Sequence, residues 1–355
     1  MGLLEEQRKA LTQERLPPND LLPWLDITLP AIGEIDDSLI RHGKAAAVIL
    51  SGGQGTRLGW GGPKALYPIV PQKNLTLLEI LLQKIGKRSR QCNASLEVAV
   101  MTSTLTQQRF IEHAEQHDHY GLNPSQITFF PQKVLPLLDE EGNWFYEKPG
   151  RLAMGPDGNG SVFACLAESG LIERWEKRGI QAVSILPVDN PLADPFDPFL
   201  FHEISRYNCD IVAQAIRRID PEEKLGLFVK QGEQMSVIEY TELSADQRYA
   251  RNSDGSLFFP YGNLGGLACS LSLIKKSATT LLPWHIAQKK ADAYGRGEIL
   301  CSKCERFIFD ILPLAKRSSL LLYSRENCYA PLKCRTGPSG PHAVLSKISH
   351  LIDLS

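Results

Sequence analysis

Residues 45–64 read AAAVILSGGQGTRLGWGGPK. An apolar run, Ala45 to Leu50, stops at a glycine-rich turn that holds Gly52, Gly53, Gly55 and Gly59, and two cations follow, Arg57 and Lys64. A short apolar run bounded in this way has the length of a buried parallel strand rather than of a helix. Glycines directly after such a strand let the backbone approach a ligand and aim its N–H groups at an anion. Fixed cations beside those donors suit a polyphosphate. The spacing excludes two other phosphate loops. Gly53 and Gly55 are followed by Gly59, one residue too late for the dinucleotide pattern, which disfavours an NAD-dependent oxidoreductase. Lys64 follows Pro63 and precedes Ala65, where a P-loop would have Gly-Lys-Ser/Thr.

Working outward, the chain alternates. Helical patterns are expected at 75–85, 106–117, 161–177 and 198–206, and strands at 96–101, 127–130, 182–188, 210–216, 225–229, 236–240 and 319–323. The fold class is therefore α/β, a Rossmann-like mixed but mostly parallel sheet with helices on both faces, of the nucleotide-diphospho-sugar transferase type. In such sheets ligands bind beyond the carboxyl ends of the strands, where the glycine loop lies. Three parts are expected: an N-terminal helical appendage over 1–43, a catalytic domain over 44–281, and a segment over 282–355 that completes the site. A short amphipathic helix is expected over 3–15, ended by Pro17 and Pro18. Residues 252–263 (NSDGSLFFPYGN) are dense in turn formers and read as a loop, a helix is expected from 304 to 314, and a last one from 343 to 351.

Composition narrows the class. The 355 residues are 43% apolar and 22% charged, with a net charge of −1. That argues against a broad basic surface for nucleic acid but allows a local cationic pocket. The first residues have no apolar core of signal-peptide type, and no window approaches a membrane span, so a cytoplasmic location without a membrane partner is expected. Eight cysteines without a framework read as thiols. Cys301, Cys304, Cys328 and Cys334 could be set against a zinc site, but the second pair is too widely spaced. His113, His117 and His119 read as a solvated helix face.

Two further stretches carry chemistry. MGPDGNGS, residues 154–161, places Gly158, Asn159 and Gly160 at a helix start, which suits phosphate or polar groups. Asp189, at the tip of SILPVDN, stands where a Mg²⁺ ligand of a nucleotide site is expected. With these, the ordered stretches VIEYTEL, NSDGSLFFPYGN, LPWHIAQKK, ERFIFDIL and YAPLK make residues 44–350 resemble the UDP-N-acetylglucosamine pyrophosphorylases of the UTP-dependent UDP-sugar pyrophosphorylase family.

The resemblance implies a uridylyltransferase that joins UTP and N-acetylglucosamine 1-phosphate with the help of Mg²⁺ or another divalent cation. It implies that Gly52, Gly53 and Gln132 hold the uracil with Gly158 nearby, and that Arg57 and Lys64 grip the triphosphate. Asn159, Glu239, Tyr240 and Asn263 match sugar contacts, and Phe307 and Phe309 match aromatics on the sugar side. Lys303 and Lys333 match lysines that reach the phosphates, and Asp189 the metal-associated aspartate. Three departures stand out: Ser51 and Gly155 where alanine is usual, and Leu264-Gly-Gly where the family is bulkier. A β-rich C-terminal lobe of the eukaryotic members is expected to be missing, and the oligomeric state is left open, a monomer being plausible. The alternatives are a UDP-glucose or broad UDP-sugar pyrophosphorylase and, in another class, a non-catalytic nucleotide-sugar-binding regulatory protein.

Overall fold

Alternate residues of the run at 45–50 point to opposite sides of a sheet, and both sides are covered. Ala45, Ala47 and Ile49 enter one apolar core, whereas Ala46 and Val48 enter another. This is why the run carries no polar residue. The structure, a computed structural model, describes all residues except 1, 13–20, 31–32, 54, 56–57 and 353–355, with no side-chain description for 350–352.

The central sheet has ten strands. In chain order they are β1 (Leu22–Pro23), β2 (Ala45–Leu50), β3 (Glu97–Ser103), β4 (Ile127–Gln132), β5 (Ala182–Pro187), β6 (Ile211–Arg217), β7 (Leu227–Gln231), β8 (Gln234–Ile238), β9 (Tyr261–Ser270) and β10 (Ser318–Tyr323). The spatial order is β1-β7-β9-β5-β2-β3-β4, with β6 pairing β9 and β10, and β8 pairing β7. Strands β5, β2, β3 and β4 run parallel, as do β6 and β10. Strand β9 is antiparallel to β5, β6 and β7 and joins the two parts.

Helices Leu77–Cys92 and Pro198–Tyr207 pack on one face, and Val162–Glu168, Leu171–Lys177 and Leu271–Ala278 on the other. The first is fixed by a capping box. The Glu79 N–H donates to Thr76 Oγ1 (3.2 Å) and the Thr76 N–H to Glu79 Oε2 (2.7 Å). The helix expected over 161–177 is two helices, because Gly170, at φ +71°, breaks the run.

Two other expectations are corrected. The segment from Tyr261 is a strand rather than the end of a loop, so Asn263 sits in β9. Its glycines imitate a turn, but each fills a place where a Cβ would collide. At Gly262 the obstacle is Leu225, at 2.7 Å, and at Gly265 it is Pro187, at 3.1 Å. At Gly266 it is the Gln214 side chain. The glycine stretch after Leu264 is thus a packing requirement. Likewise Cys301 and Cys304 lie on the second strand of a hairpin, His285–Ala293 with Gly297–Glu305, and only Ile308–Leu314 is helical, as a 3₁₀ helix.

The N-terminal residues reach two parts of the structure. Pro23 pairs with β7, Thr28 bonds β10, and Gln7 of helix Leu3–Thr12 donates to the Pro136 carbonyl (3.0 Å) and accepts from Trp144 (2.7 Å). No described helix is long and apolar enough to cross a membrane.

Candidate active site

Strand β2 ends at Leu50, and the loop that follows is closed by the Lys64 N–H bonding the Gly53 carbonyl at 3.1 Å. Gly55 adopts φ +68°, the left-handed region that the turn needs. The loop brings Lys64 back beside the strand tip, where its Nζ donates to Asp189 Oδ2 (3.1 Å) and to the Leu332 carbonyl (3.2 Å). Asp189 follows β5, the neighbour of β2, and its carbonyl accepts the Leu332 N–H at 2.8 Å. Strand tip, glycine loop and YAPLK stretch are thus stitched together at one rim of the sheet. Arg57 lies outside the described residues.

Lys333 joins this group. Burial alone would depress its pKa, but Asp189, Tyr329 and Glu239 hold it above the ordinary lysine value. Burial pushes the Glu239 carboxyl up, with Glu242 adding to the effect and His285 and Lys333 opposing it. Glu239 lies against Gly226, whose carbonyl accepts the Asn263 N–H at 2.8 Å, so Glu239 and Asn263 share a wall. Asn263 Oδ1 is taken by the Gly265 N–H at 2.9 Å. Tyr240 follows, half-buried, its carbonyl held by Arg248 at 3.1 Å.

The opposite side is built on the PDGNG turn. Gln132, buried at the end of β4, lies against Gly52 and donates to the Gly158 carbonyl at 2.6 Å. Any side chain at Gly52 would displace the Gln132 amide. The turn is clipped to the hairpin's exit. The Arg306 N–H donates to the Asp157 carbonyl and the Gly160 N–H to the Arg306 carbonyl, both at 2.8 Å. Asn159 Oδ1 accepts the Ile308 N–H at 3.0 Å. Lys303 pairs with Glu305 and passes Gly155, where a Cβ would meet Leu137 at 2.9 Å and the lysine stem at 3.5 Å. Glycine there leaves room for Leu137 and Lys303. Ser51, the other small departure, is buried with its hydroxyl unpartnered.

Phe307 is half-buried and stacks on His285, with ring centroids 4.1 Å apart. Phe309 is packed into the core with Ile308, Ile311 and Leu312 and is 9% exposed.

Contacts and charge interactions together link these residues in a circuit. From Gly53 they pass through Gly52, Gln132, Gly158 and Arg306 to Phe307 and His285. Glu242 holds Glu239, the charges of Glu239 and Asp189 both act on Lys333, and Asp189 bonds Lys64. Glycine amides, cations and one strand-tip carboxylate line this circuit, a donor set that suits a nucleotide and a second phosphate ester.

The family follows from comparison with known proteins. The model of the family described as UTP–glucose-1-phosphate uridylyltransferase matches residues 11–301. The chain belongs to that family. Among its relatives, UDP-N-acetylglucosamine diphosphorylase 2 of Arabidopsis thaliana is 34% identical over 92% of this chain and 66% of its own length. The UDP-N-acetylglucosamine pyrophosphorylase of Saccharomyces cerevisiae is 31% identical over 88% of this chain and 69% of its own. The chain thus spans about two thirds of the length of these curated relatives. A crystal structure of the uridine diphosphate N-acetylglucosamine pyrophosphorylase of Trypanosoma brucei, in complex with an inhibitor, superposes with a TM-score of 0.84 at 25% identity, over 97% of this chain and 75% of that one. UDP-glucose pyrophosphorylase of Leishmania major, at 15% identity and a TM-score of 0.77, shares the fold.

Within this uridylyltransferase family framework, reading the sequence missed His285, Glu242, Asp310, Arg306 and Tyr329. Each lies in a stretch that carries the resemblance, but their roles are contacts between segments far apart in the chain. The candidate metal groupings do not form. Cys301, Cys304 and Cys328 are buried and Cys334 is exposed, and all are free thiols. Among the described residues no three His, Cys, Asp or Glu side chains gather as metal ligands. The histidine face is not simply solvated. His113 stacks on His117 with centroids 4.0 Å apart, and its Nδ1 meets the Tyr120 hydroxyl at 2.9 Å.

Proposed function

We propose that this chain makes UDP-N-acetylglucosamine and pyrophosphate from UTP and N-acetylglucosamine 1-phosphate. A phosphate oxygen of the sugar ester attacks the α-phosphorus of UTP in line. The new O–Pα bond forms as the bond from Pα to the bridging oxygen breaks, and pyrophosphate leaves with that electron pair. A phosphate monoester is already ionised, so no strong base is needed. The obstacle is the approach of two anions, and the remedy is alignment and neutralisation.

The single observation that carries this reading is the convergence, at one rim of the sheet, of the Gly53–Gly158–Phe307–Glu239 contacts with Lys333, Asp189 and Lys64. Gly52, Gly53 and Gln132 would take the uracil with Gly158 beside them. Lys64, with Arg57 of the same loop, would neutralise the triphosphate and the departing pyrophosphate. Lys303 and Lys333 would meet the phosphates from the other side, and Asn159, Glu239, Tyr240, Asn263 and Phe307 would form the sugar side, with Phe309 backing it from the core. Family membership and the names of the two relatives support the same substrates.

Asp189 fits a divalent cation in one specific way. Its side chain is 16% exposed with one oxygen engaged by Lys64, and among the described residues no three His, Cys, Asp or Glu side chains gather as metal ligands. One carboxylate, with phosphate and water oxygens making up the rest, is the coordination Mg²⁺ accepts. Bound there, the ion would offset charge on the phosphate oxygens. The eight free thiols agree with a cytoplasmic setting.

The test is pyrophosphate release with UTP and Mg²⁺ against N-acetylglucosamine, N-acetylgalactosamine and glucose 1-phosphates. Preference for the first supports the proposal. A preference for glucose 1-phosphate would move it to the UDP-glucose branch, and no release with any ester would leave a binding protein.

A further inference from the structure

His285 opens the hairpin and touches both Glu242, in the turn after β8, and Asp310, in the 3₁₀ helix. Its Nδ1 lies 3.2 Å from Glu242 Oε1, and its Nε2 lies 3.0 Å from Asp310 Oδ2. Each of these carboxylates also fixes a proposed sugar contact. Glu242 Oε2 accepts the Glu239 N–H at 2.9 Å, and Asp310 Oδ2 accepts the Phe307 N–H at 3.2 Å. The imidazole face itself carries the Phe307 ring. Two ring nitrogens facing two carboxylates call for two N–H donors, which only the imidazolium has.

Resting on the uridylyltransferase reading, we propose that His285, as an imidazolium bridging Glu242 and Asp310, is a positioning residue that sets where Glu239 and Phe307 meet the sugar 1-phosphate. The bridge joins the turn after β8, the hairpin and the 3₁₀ helix, which approach one another only in the folded chain. Among the described residues, the charged groups around it include Glu242 and Asp310 in contact, Glu239 behind Glu242, and Glu305 opposite His285 in the hairpin register, itself paired with Lys303. Arg306 lies over the adjacent Trp284, 3.9 Å from its ring centroid, and Lys333 bears on Glu239 from the phosphate side.

Burial would depress the His285 pKa, but hydrogen bonds to Asp310 and Glu242 lift it to about 9. The bridge is therefore complete at neutral pH and is lost as pH rises through about 9. Its charge also opposes the burial and like charge that push the Glu239 carboxyl up. Without it, Glu239 holds a proton to higher pH.

The experiment compares the wild type with His285→Gln and His285→Arg. In His285→Gln the KM for the sugar 1-phosphate is expected to rise about tenfold, the loss of one charge-assisted hydrogen bond, with the KM for UTP unchanged. The wild-type KM for the sugar ester should climb above pH 9. His285→Gln should lack that break, and His285→Arg should recover part of the affinity without it. Parallel rises in both KM values, or an unaltered break in His285→Gln, would overturn the proposal. A second arm reads ¹⁵N shifts of the wild-type His285 ring. Both nitrogens protonated at pH 7.5 and titrating near 9 support the bridge, while titration near 6.5 overturns it even if the protein proves inactive. Absence of turnover with every sugar ester would instead sink the functional reading.

Discussion

Replacing Gly158 by alanine tests the site's construction most directly, because the nearest obstacles are backbone atoms. Gly158 sits at φ +90°, and an added Cβ would meet the Arg306 amide nitrogen at 2.5 Å, the Arg306 carbonyl oxygen closer still, and Glu305 Cβ at 3.0 Å. At φ +90° and ψ 165°, a region held almost only by glycine, an L side chain costs about 1–3 kcal/mol, and forcing an extra carbon into packed structure adds about 1–3 kcal/mol. Gly179 provides the control, with φ +73° and nothing within 4 Å of the added carbon. It carries a positive-φ cost of about 1–2 kcal/mol and no packing cost. At roughly 2 °C per kcal/mol for a large chain, Gly158→Ala should lower the unfolding temperature by about 4–12 °C and Gly179→Ala by about 2–4 °C. Differential scanning fluorimetry on both proteins makes the comparison. Activity should separate them further. Arg306 must retreat to admit the methyl group, which pulls on the Gln132–Gly158 bond and on Asn159. A displacement near 1 Å of a substrate-positioning group costs on the order of a hundredfold in turnover. Equal thermal shifts in the two variants, or full activity in Gly158→Ala, would refute the close approach of turn and hairpin exit.

Three other outcomes are expected. Lys64→Ala should lower kcat/KM for UTP by about a hundred- to a thousandfold, as loss of an electrostatic transition-state contact does, and steady-state kinetics near wild type would remove Lys64 from that role. Asp189→Asn should shift the Mg²⁺ titration of activity to higher concentration, and an unchanged titration would send the ion elsewhere. Asp197 carries a pH signature. Burial first, then Asp194, lifts its carboxyl to about 6, against hydrogen bonds from Tyr323, the Phe199 N–H and Gln214. Since the unfolded chain ionises at lower pH, the stability this group contributes is fullest below about pH 4 and is lost as pH rises through about 6. Urea unfolding of the wild type relative to Asp197→Asn should therefore weaken by about 3 kcal/mol between pH 4 and 7, and a pH-independent difference would contradict the burial.

The parallel half of the sheet was legible because its strands are buried on both faces and read as apolar runs, unbroken at Ala45–Leu50 and interrupted only by Ser184 at Ala182–Pro187. Strand β9 was not, since Gly262, Gly265 and Gly266 satisfy neighbours that only the folded chain supplies. The hairpin at 285–305 was obscured for a related reason. Its lysines and glutamine carry no strand signature, and its pairing is what makes it β.

The sequence by itself determined that a glycine loop, a PDGNG turn and an aspartate at a strand tip follow the ends of buried strands, because those signals are local in the chain. Only the tertiary structure decided that Lys64 meets Asp189 and Leu332, that Arg306 locks the PDGNG turn, and that His285 ties Glu242 to Asp310. Such contacts join residues many positions apart, and no local propensity records which of many charged side chains will be desolvated together.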